Sequence, residues 1–564
     1  MFIASVSNET PPFSGVYRSR PVLLAWLAGA VLFLSSCSTT HYRLSADKEV
    51  YAIVAEKTPA VPGAPDTFDV AFAGKADLAN LPVESERHEF LGPESEYEVG
   101  AYVFSLEDAL RVGFRHSREF QNRKERFYLE ALSLTLDRYQ FAPNYSAGVG
   151  GSIGGDENGE VSTSGDARVG MEYLLKSGGR LSVDLLSTFM QFLSGDPRET
   201  ASSILSSTFT QPLLAGRGRA VAAESLTQAE RDVLYELRDF TRFGKTFAVR
   251  IASDYYRILR ERDSVRNNYR GLQSFRLNLD RERAFADEGL STPAAVGRLE
   301  QAELSRESTW IGSVRRYRQS LDNFKIMLGL PTDVPLILDD SELERLIAGG
   351  IRHPRFTSDY AVELGLTRRL DLETTRDRVE DAGRRIHVTA SALKPGLDLI
   401  LTSSLDSKDG NRVFSPDFDA TQWSAGIDLD LPLNRKAERN GYRSALIAYE
   451  RSIRDLALLG DRITFEIRDA WRALEQAKRT YEINLVGLEL NRRRVEEQDL
   501  RAELGLGNVL DQVDAQNDLT NAQNDLTGQL IAHTVARLEL WRDMGTLSVQ
   551  DDGQWEEGFD VSDN

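Results

Sequence analysis

Two aspartates near the end of the chain are the residues whose spacing most clearly predicts a binding function. Asp511 and Asp514 lie three positions apart, so both carboxylates face the same side of a helix. They follow a glycine turn at Gly505 to Gly507, where two stacked carboxylates would attract cations and repel anions. The alternative is that they are only acidic residues in the first turns of a helix, where the helix dipole favours them.

The histidines and glycines give little support to an enzyme or to a bound cofactor or metal. His116, His353, His387 and His533 have no helical metal-binding spacing with one another, and we expect them to be surface or packing residues. The stretch from Gly148 to Gly155 superficially resembles a phosphate loop, but its glycines do not fit the dinucleotide-binding pattern. We therefore expect no catalytic activity, no cofactor and no metal site.

The position of the single cysteine, Cys37, predicts covalent lipidation. An apolar run from Val22 to Leu34 follows basic residues, and it is too short for a membrane-spanning helix but fits a signal peptide. The run ends at Leu34-Ser35-Ser36-Cys37, which resembles a bacterial lipobox. We expect a signal peptide at residues 1–36, acylation of Cys37 (palmitate) and delivery to the outer membrane of a diderm bacterium. The alternative is an ordinary signal peptide in which the cysteine falls by chance.

The composition excludes several broad classes of protein. The 564 residues include 68 Lys and Arg against 87 Asp and Glu, and the net charge of -19 argues against a nucleic-acid partner. One cysteine excludes an internal disulfide. A mean hydropathy of -0.36 excludes a bundle of transmembrane helices. A β-barrel remains possible, because its alternating strands average out as polar.

The elements that would position these residues follow a plan that occurs twice. Two helix patterns, 252 residues apart, each end just before a proline: Ser105 to Phe141 and Asp359 to Leu393. Two longer helices, 216 residues apart, have a seven-residue apolar repeat: Leu237 to Ala286 and Ile453 to Ala502. The repetition predicts an internally duplicated chain with coiled-coil helices.

Each long helix ends at a short glycine turn, and its length indicates the architecture. The turns are Gly289-Leu290-Ser291-Thr292 and Gly505-Leu506-Gly507-Asn508, and further helices follow from Pro293 to Leu328 and from Asn508 to Asp543. Arg217 to Glu288 contains 72 residues, or ~108 Å of helix. A tube needs helices of this length, whereas a globular domain does not. One chain supplies too few helices to close a tube, so we expect it to oligomerise.

Segments of alternating apolar and polar residues lie between the helices and predict strands. The second half offers one hairpin, Leu397 to Leu405 with Gln422 to Leu433. The first half offers up to four strands: Tyr145 to Ile153, Ala167 to Leu175, Leu181 to Met190 and Leu205 to Pro212. Such alternation fits a membrane β-barrel with a wet lumen or a soluble sandwich. The export signal favours the barrel.

Several of these segments together resemble the TolC family of outer-membrane efflux proteins, over about Ser105 to Leu547. Besides the glycine turns, the matching motifs are Ser105-Leu106-Glu107-Asp108-Ala109-Leu110, Gln211-Pro212-Leu213-Leu214, Leu431-Pro432-Leu433 and Leu328-Gly329-Leu330-Pro331. The resemblance implies a homotrimer in which a β-barrel in the outer membrane continues into an α-helical periplasmic tunnel. It also implies docking onto a periplasmic adaptor and an inner-membrane pump. By the same resemblance, we expect only two first-half strands in the barrel, hence twelve strands in a trimer rather than eighteen.

The resemblance also implies roles for particular residues. Six residues at the turns would contact the adaptor, although turn geometry alone could explain their glycines: Gly289, Leu290, Ser291, Gly505, Leu506 and Gly507. In three copies, Asp511 and Asp514 would form two rings of acids at the pore constriction. Gly507 stands where the best-known members have a gating arginine, and Ala294 and Ala295 stand where they have its polar partners. A charged latch of that type is therefore in doubt here.

The sequence thus predicts an α+β membrane protein of the TolC-like type that acts as a passive exit duct for efflux or type I secretion. The expected segments are the signal peptide, a lipid-anchored tether at 37–104, two repeats at 105–350 and 351–547, and an acidic disordered tail at 548–564. The alternative is a lipid-anchored coiled-coil spacer of the cell envelope without transport. The amphipathic strands oppose that alternative, because a spacer has no use for a wet barrel.

Overall fold

A computed structural model describes residues 38–155, 160–194, 199–408, 416–504 and 506–556. The chain divides into two compact units, residues 1–56 and residues 57–564. The described residues of the first unit form helix α1 (Thr39–Lys57), which ends at the first residue of the second. All other elements belong to the second unit.

Helices make up most of the second unit. Four are short: α2 (Leu106–His116), α4 (Arg219–Ala222), α7 (Asp340–Gly349) and α8 (Ser358–Arg368). Four are of middle length: α3 (Arg118–Gln140), α6 (Pro293–Leu328), α9 (Leu370–Ala392) and α11 (Val509–Asp543). The longest are α5 (Glu224–Asp287), with 64 residues, and α10 (Lys436–Glu503), with 68 residues. At 1.5 Å per residue, these two helices are ~96 Å and ~102 Å long. The first is shorter than the ~108 Å predicted from Arg217, because Ala223 separates it from α4.

The seven-residue apolar repeats of the two long helices differ in how far one chain buries them. In α5 the apolar residues of the repeat are buried from Leu237 to Leu279. In α10 only Ile467 and Leu474 of the repeat are buried, whereas Ile453 is exposed. The single chain therefore covers α5 more completely than α10.

Six strands form one antiparallel sheet: β2 (Asn144–Gly155), β3 (Val161–Leu174), β4 (Arg180–Phe192), β5 (Glu199–Pro212), β7 (Gly396–Asp406) and β8 (Gln422–Asp430). Within the sheet they follow one another in this order, each pairing with the next. The pairing of β5 with β7 joins the strands of the two halves, from Ile204 opposite Asp406 to Pro212 opposite Asp398. Two three-residue strands, β1 (Tyr102–Phe104) and β6 (Leu336–Leu338), pair in parallel elsewhere.

The six-stranded sheet contradicts our preference for only two first-half strands. All four first-half segments lie in the same ladder, because β3 and β4 pair without interruption from Ser162 opposite Phe192 to Leu174 opposite Arg180. Alternation in the sequence identifies each strand correctly. It does not show which strands share a sheet. The prediction of two first-half strands beside the second-half hairpin, or four strands per chain, is therefore wrong.

Each predicted helix before the strands is divided in two by one extended residue. Ser117 separates α2 from α3, and Arg369, 252 positions later, separates α8 from α9. A left-handed glycine packs against each break: Gly329 with φ of 82° against His116, and Gly545 with φ of 74° against Arg368. A Cβ at Gly545 would lie 3.1 Å from the Arg368 carbonyl oxygen, so both glycines allow a close backbone approach.

A buried charge network attaches the segment before α2 to α5 and α6. Arg262 of α5 donates to Glu98 at 2.8 Å, and Tyr317 of α6 donates to the other Glu98 oxygen at 2.9 Å. Arg262 also pairs with Asp340 at 2.8 Å. Glu98 and Arg262 are both buried, so each charge needs these partners.

The residues directly after α11 are ordered, although we expected a disordered tail from residue 548. Ser548–Val549 (β9) and Trp555–Glu556 (β10) form a short antiparallel pair. Between them, Asp551 accepts a hydrogen bond from the Thr67 hydroxyl at 2.6 Å, and Gly553 packs against Phe114 of α2. These contacts fix residues 548–556 on the helices, and residues 557–564 lie outside the described part.

Candidate functional site at the helical tips

The first tip is the turn between α5 and α6, and its conformation explains its glycine. Gly289 has a φ of 71°, in the left-handed region, and the Leu290 amide donates to the Phe285 carbonyl at 2.8 Å. This hydrogen bond is typical where a left-handed glycine ends a right-handed α-helix. The Ser291 hydroxyl donates to Glu282 of α5. Thr292 then caps α6 by accepting from the Ala295 amide at 3.3 Å.

The second tip is the turn between α10 and α11. Gly505, one of the residues expected to contact the adaptor, lies outside the described part of the chain. Gly507 lies against α10, because a Cβ there would be 2.7 Å from the Cα of Ala502. Asn508 caps α11 by accepting from the Leu510 amide at 3.1 Å.

The two tips lie side by side, although about 216 residues separate them in sequence. A groove of about 630 Å³ is lined by residues of both, among them Leu290, Ser291 and Gly507. Below it, Phe275 and Leu279 of α5 pack with Leu299 of α6 and with Val509 and Val513 of α11. This small core fixes one tip against the other.

The exposed leucines of the tips are unusual for turns. Leu290 is 78% exposed and Leu506 is 75% exposed. Neither side chain is needed for the turn geometry, which the glycines and caps provide. Two exposed apolar side chains therefore lie at the same end of two long helices.

Three positions in which the chain departs from the best-known TolC proteins also meet at this groove. Ala294 and Ala295 of α6 line it together with Gly507 of the other tip. The structure brings these residues together, but none of the three carries a polar side chain.

Asp511 and Asp514 lie in the first two turns of α11, close to the second tip. Asn508 already caps this helix, so neither aspartate is needed for that hydrogen bond. Asp511 is half-buried and Asp514 is exposed. Within the described residues, no ion pair or side-chain hydrogen bond involves either carboxylate, whereas Asp518, one turn further, pairs with Arg494 at 2.6 Å.

Two histidines that the sequence analysis treats as unrelated are neighbours in the structure. His353 Nδ1 lies 3.4 Å from His533 Nε2 on α11, and His353 Nε2 lies 3.1 Å from a carboxylate oxygen of Glu475 on α10. Burial, together with the nearby charges of His353, Arg537 and Lys478, lowers the pKa of His533 to about 4. Burial and Lys478 also lower the pKa of His353, against the opposing effect of Glu475. No sequence spacing signals this pair, because 180 residues separate its members.

The other residues that the sequence singles out are packing, surface or strand residues, or they lie outside the described part of the chain. His116 is buried, with Nδ1 3.0 Å from the Gly74 carbonyl oxygen, and His387 is exposed on α9. Gly148 to Gly155 belong to β2 and pair with β3 along their length, so the stretch is not a loop. Cys37, the predicted lipidation site, lies outside the described residues.

The described residues also lack a metal cluster and a membrane-spanning helix. No group of three or more His, Cys, Asp or Glu side chains there has a geometry that could hold a metal ion. Among the helices described, none combines the length and the apolar character needed to cross a bilayer.

The fold, with its tips and its sheet, matches solved outer-membrane channels. The Campylobacter jejuni CmeC outer membrane channel aligns with a TM-score of 0.58 at 10% identity, over 89% of this chain and 97% of that chain. The outer membrane protein VceC from Vibrio cholerae aligns with a TM-score of 0.57 at 16% identity, over 78% and 96%. The Neisseria gonorrhoeae MtrE outer membrane channel, in its open state, aligns with a TM-score of 0.57 at 14% identity, over 80% and 90%. No protein-family model and no curated protein sequence matches the chain.

The chain therefore has the fold of outer-membrane channels of the TolC type. The resemblance drawn from sequence is confirmed at the level of the fold, over nearly the whole length of these channels.

Proposed function

We propose that the chain is a TolC-family outer-membrane exit duct, a passive channel without enzymatic activity. The observation that carries this proposal is the fold, which combines one six-stranded sheet with two helices of 64 and 68 residues and spans 97% of the CmeC channel. Residues with alternating polarity in the sheet would line a wet lumen, and the long helices would continue it as a tunnel. Three copies would contribute eighteen strands.

The corresponding breaks and glycines of the two halves support an internal duplication. Ser117 and Arg369 break their helices at positions 252 residues apart, and the glycines that pack there, Gly329 and Gly545, are 216 residues apart. A pseudo-repeated chain is suited to a ring, because each half presents a similar surface to the next one.

The tips support docking onto a partner. In this proposal Leu290 and Leu506 meet the hairpins of a periplasmic adaptor, and an inner-membrane pump supplies energy and selectivity. Asp511 and Asp514 form the pore constriction near the same end. Lipidation of Cys37 adds a second attachment to the outer membrane.

The proposal is tested by reconstituting the purified full chain in planar lipid bilayers. A duct produces discrete conductance steps, and the protein migrates faster in unheated than in heated SDS gels because a folded β-barrel resists the detergent. The alternative, a coiled-coil spacer, produces neither effect. A chain that produces no conductance steps in the bilayers and shows no heat-dependent migration would contradict the exit-duct function.

A further inference from the structure

A small cavity lies where the break between α8 and α9 meets α5 and the end of α11. Its volume is about 40 Å³, and its lining includes Lys245 of α5, Arg368 and Leu370 on the two sides of the break, and Gly545 after α11. Since one water molecule needs ~10–15 Å³ of such space, the cavity has room for roughly three waters. It shares no lining residue with the groove at the tips.

Basic side chains outnumber acidic ones around this cavity. The lining has five basic residues, Arg242, Lys245, Arg368, Arg369 and Arg542, and two acidic ones, Asp371 and Asp543. Asp371 pairs with Arg369 at 2.7 Å and with Arg242 at 3.1 Å. Asp543 pairs with Arg542 at 2.9 Å. Both carboxylates are thus engaged, and within the described residues Lys245 and Arg368 have none.

Lys245 is the buried member of this unpaired couple. It is only 8% exposed, and its Nζ donates to the Gly545 carbonyl at 3.1 Å. Burial and the nearby charge of Arg368 both lower the pKa of Lys245. An ammonium group has three N–H donors, and a backbone carbonyl carries no full charge. The buried positive charge therefore lacks a negative counterpart.

The other groups around the cavity also favour a negative charge. Arg368 is exposed and forms no ion pair or side-chain hydrogen bond within the part of the chain that the structure describes. Helix α9 begins at Leu370, and its N-cap residue, Arg369, forms no capping hydrogen bond with its side chain. The positive end of the dipole of this 23-residue helix therefore lies at the cavity.

The break of the first half has the same close glycine contact but fewer basic residues. Arg368 corresponds to His116 there, by the offset of 252. Arg369 corresponds to Ser117, which carries no charge. Gly329 packs against His116 all the same. The arginines are therefore not needed to form the break, and they belong to the second half alone.

We propose that this cavity binds a small inorganic oxyanion of the phosphate or sulfate type. The ion would accept hydrogen bonds from the Lys245 ammonium and the Arg368 guanidinium, at the N-terminus of α9. Because the two side chains belong to different helices, the bound ion would join α5 to the break between α8 and α9. This site is additional to the proposed exit duct and does not depend on conduction.

The arrangement of the donors favours an oxyanion over a halide ion. The oxygens of phosphate or sulfate point in different directions, so each can accept from a different group. A guanidinium presents several N–H donors in a fixed plane that matches such oxygens, whereas an ammonium acts as a point charge. Lys245 and Arg368 supply one group of each kind.

Isothermal titration calorimetry of the detergent-purified full chain with inorganic phosphate tests the site. A chloride buffer is used, so that a site for any small anion would already be occupied. We expect one phosphate per chain, bound about tenfold more weakly by Lys245→Met, which loses a charge-assisted hydrogen bond. The control is Lys75→Met, the same change at an exposed lysine outside the lining. No phosphate binding by the parent, or equal affinities of the two variants, would overturn the proposal.

Thermal unfolding with and without phosphate separates binding from a loss of packing. Phosphate should raise the melting temperature of the parent and of Lys75→Met, because a ligand that binds only the folded chain stabilises it. It should have little effect on Lys245→Met. Arg368→Gln changes an exposed side chain, so it should fold normally and also lose most of the phosphate effect. If phosphate stabilises Lys245→Met and Arg368→Gln as much as the parent, the two residues do not form an anion site.

Discussion

Gly113 of α2 packs so closely on Ile251 of α5 that a Cβ at the glycine would lie 2.6 Å from the isoleucine Cδ1. The corresponding residues of the second half, Gly365 of α8 and Ile467 of α10, approach each other even more closely. Ile467 is fully buried in the core that includes Trp541 and Met544, so a displaced side chain would press on other buried residues.

Replacing Gly365 with Ala should therefore destabilise the fold, although alanine favours helices. The added methyl group overlaps a buried side chain, and overpacking of this kind costs about 1–3 kcal/mol. The measurement is thermal unfolding of the detergent-purified protein, followed by circular dichroism. Gly441→Ala in α10 is the control, because a Cβ there meets nothing within 4 Å and should be neutral or slightly stabilising. Equal melting temperatures for both variants would contradict the packing argument.

His533 should make the fold less stable in mild acid. Its pKa of about 4 in the folded chain lies below the ordinary value near ~6.5 of an unfolded chain. The unfolded chain therefore binds more protons between these two values, and stability falls as the pH falls through this window, by up to ~3 kcal/mol in total. His533→Gln should flatten the dependence of the melting temperature on pH between 4 and about 6.5.

The exposed His387→Gln variant provides the comparison for this experiment, since it should retain the pH dependence of the parent chain. If His533→Gln instead loses stability equally at every pH, the histidine is only a packing residue.

The two acids at the start of α11 should govern ion selectivity. Replacing Asp511 and Asp514 together with Asn should weaken cation selectivity and block by multivalent cations in bilayers, since two rings of charge disappear. Asp518→Asn is the control, because that carboxylate already pairs with Arg494. Selectivity and block that remain unchanged in the double variant would place the constriction elsewhere.

The leucines of the tips should contact another protein in the cell. A photocrosslinking amino acid at Leu290 or Leu506 should capture a periplasmic partner after illumination, which mass spectrometry would identify. The same amino acid at Ile347 of α7, which is 52% exposed, should capture none. Identical adducts from all three positions would argue against a specific docking surface.

Cys37 should carry the lipid. Replacing Cys37 with Ser should abolish incorporation of an alkyne-labelled fatty acid, while insertion into the membrane continues through the proposed barrel. Fatty-acid labelling at the parent level in this variant would refute the predicted modification.

The sequence predicts the long helices well because their seven-residue repeat is a local signal. The break at Ser117 could not be predicted, since no proline or glycine marks it and the helical pattern continues across it. It depends on Gly329, which lies more than 200 positions away and packs on the preceding carbonyl group. The pairing of His353 with His533 and the joining of β5 to β7 depend in the same way on residues that only the folded chain brings together.

The sheet also determines how the protein can be made. Its outer strands, β2 and β8, pair on one side only within the described residues, and their other edges present free amide and carbonyl groups. In the proposed duct these edges would lie in hydrocarbon, where each such group costs several kcal/mol, so a lone chain could not remain inserted. Membrane entry and association would then be one event, and folding would obey mass action. If the chains were diluted during biogenesis, the yield of assembled protein would fall more steeply than the chain concentration. An unassembled chain would be an early substrate for proteases.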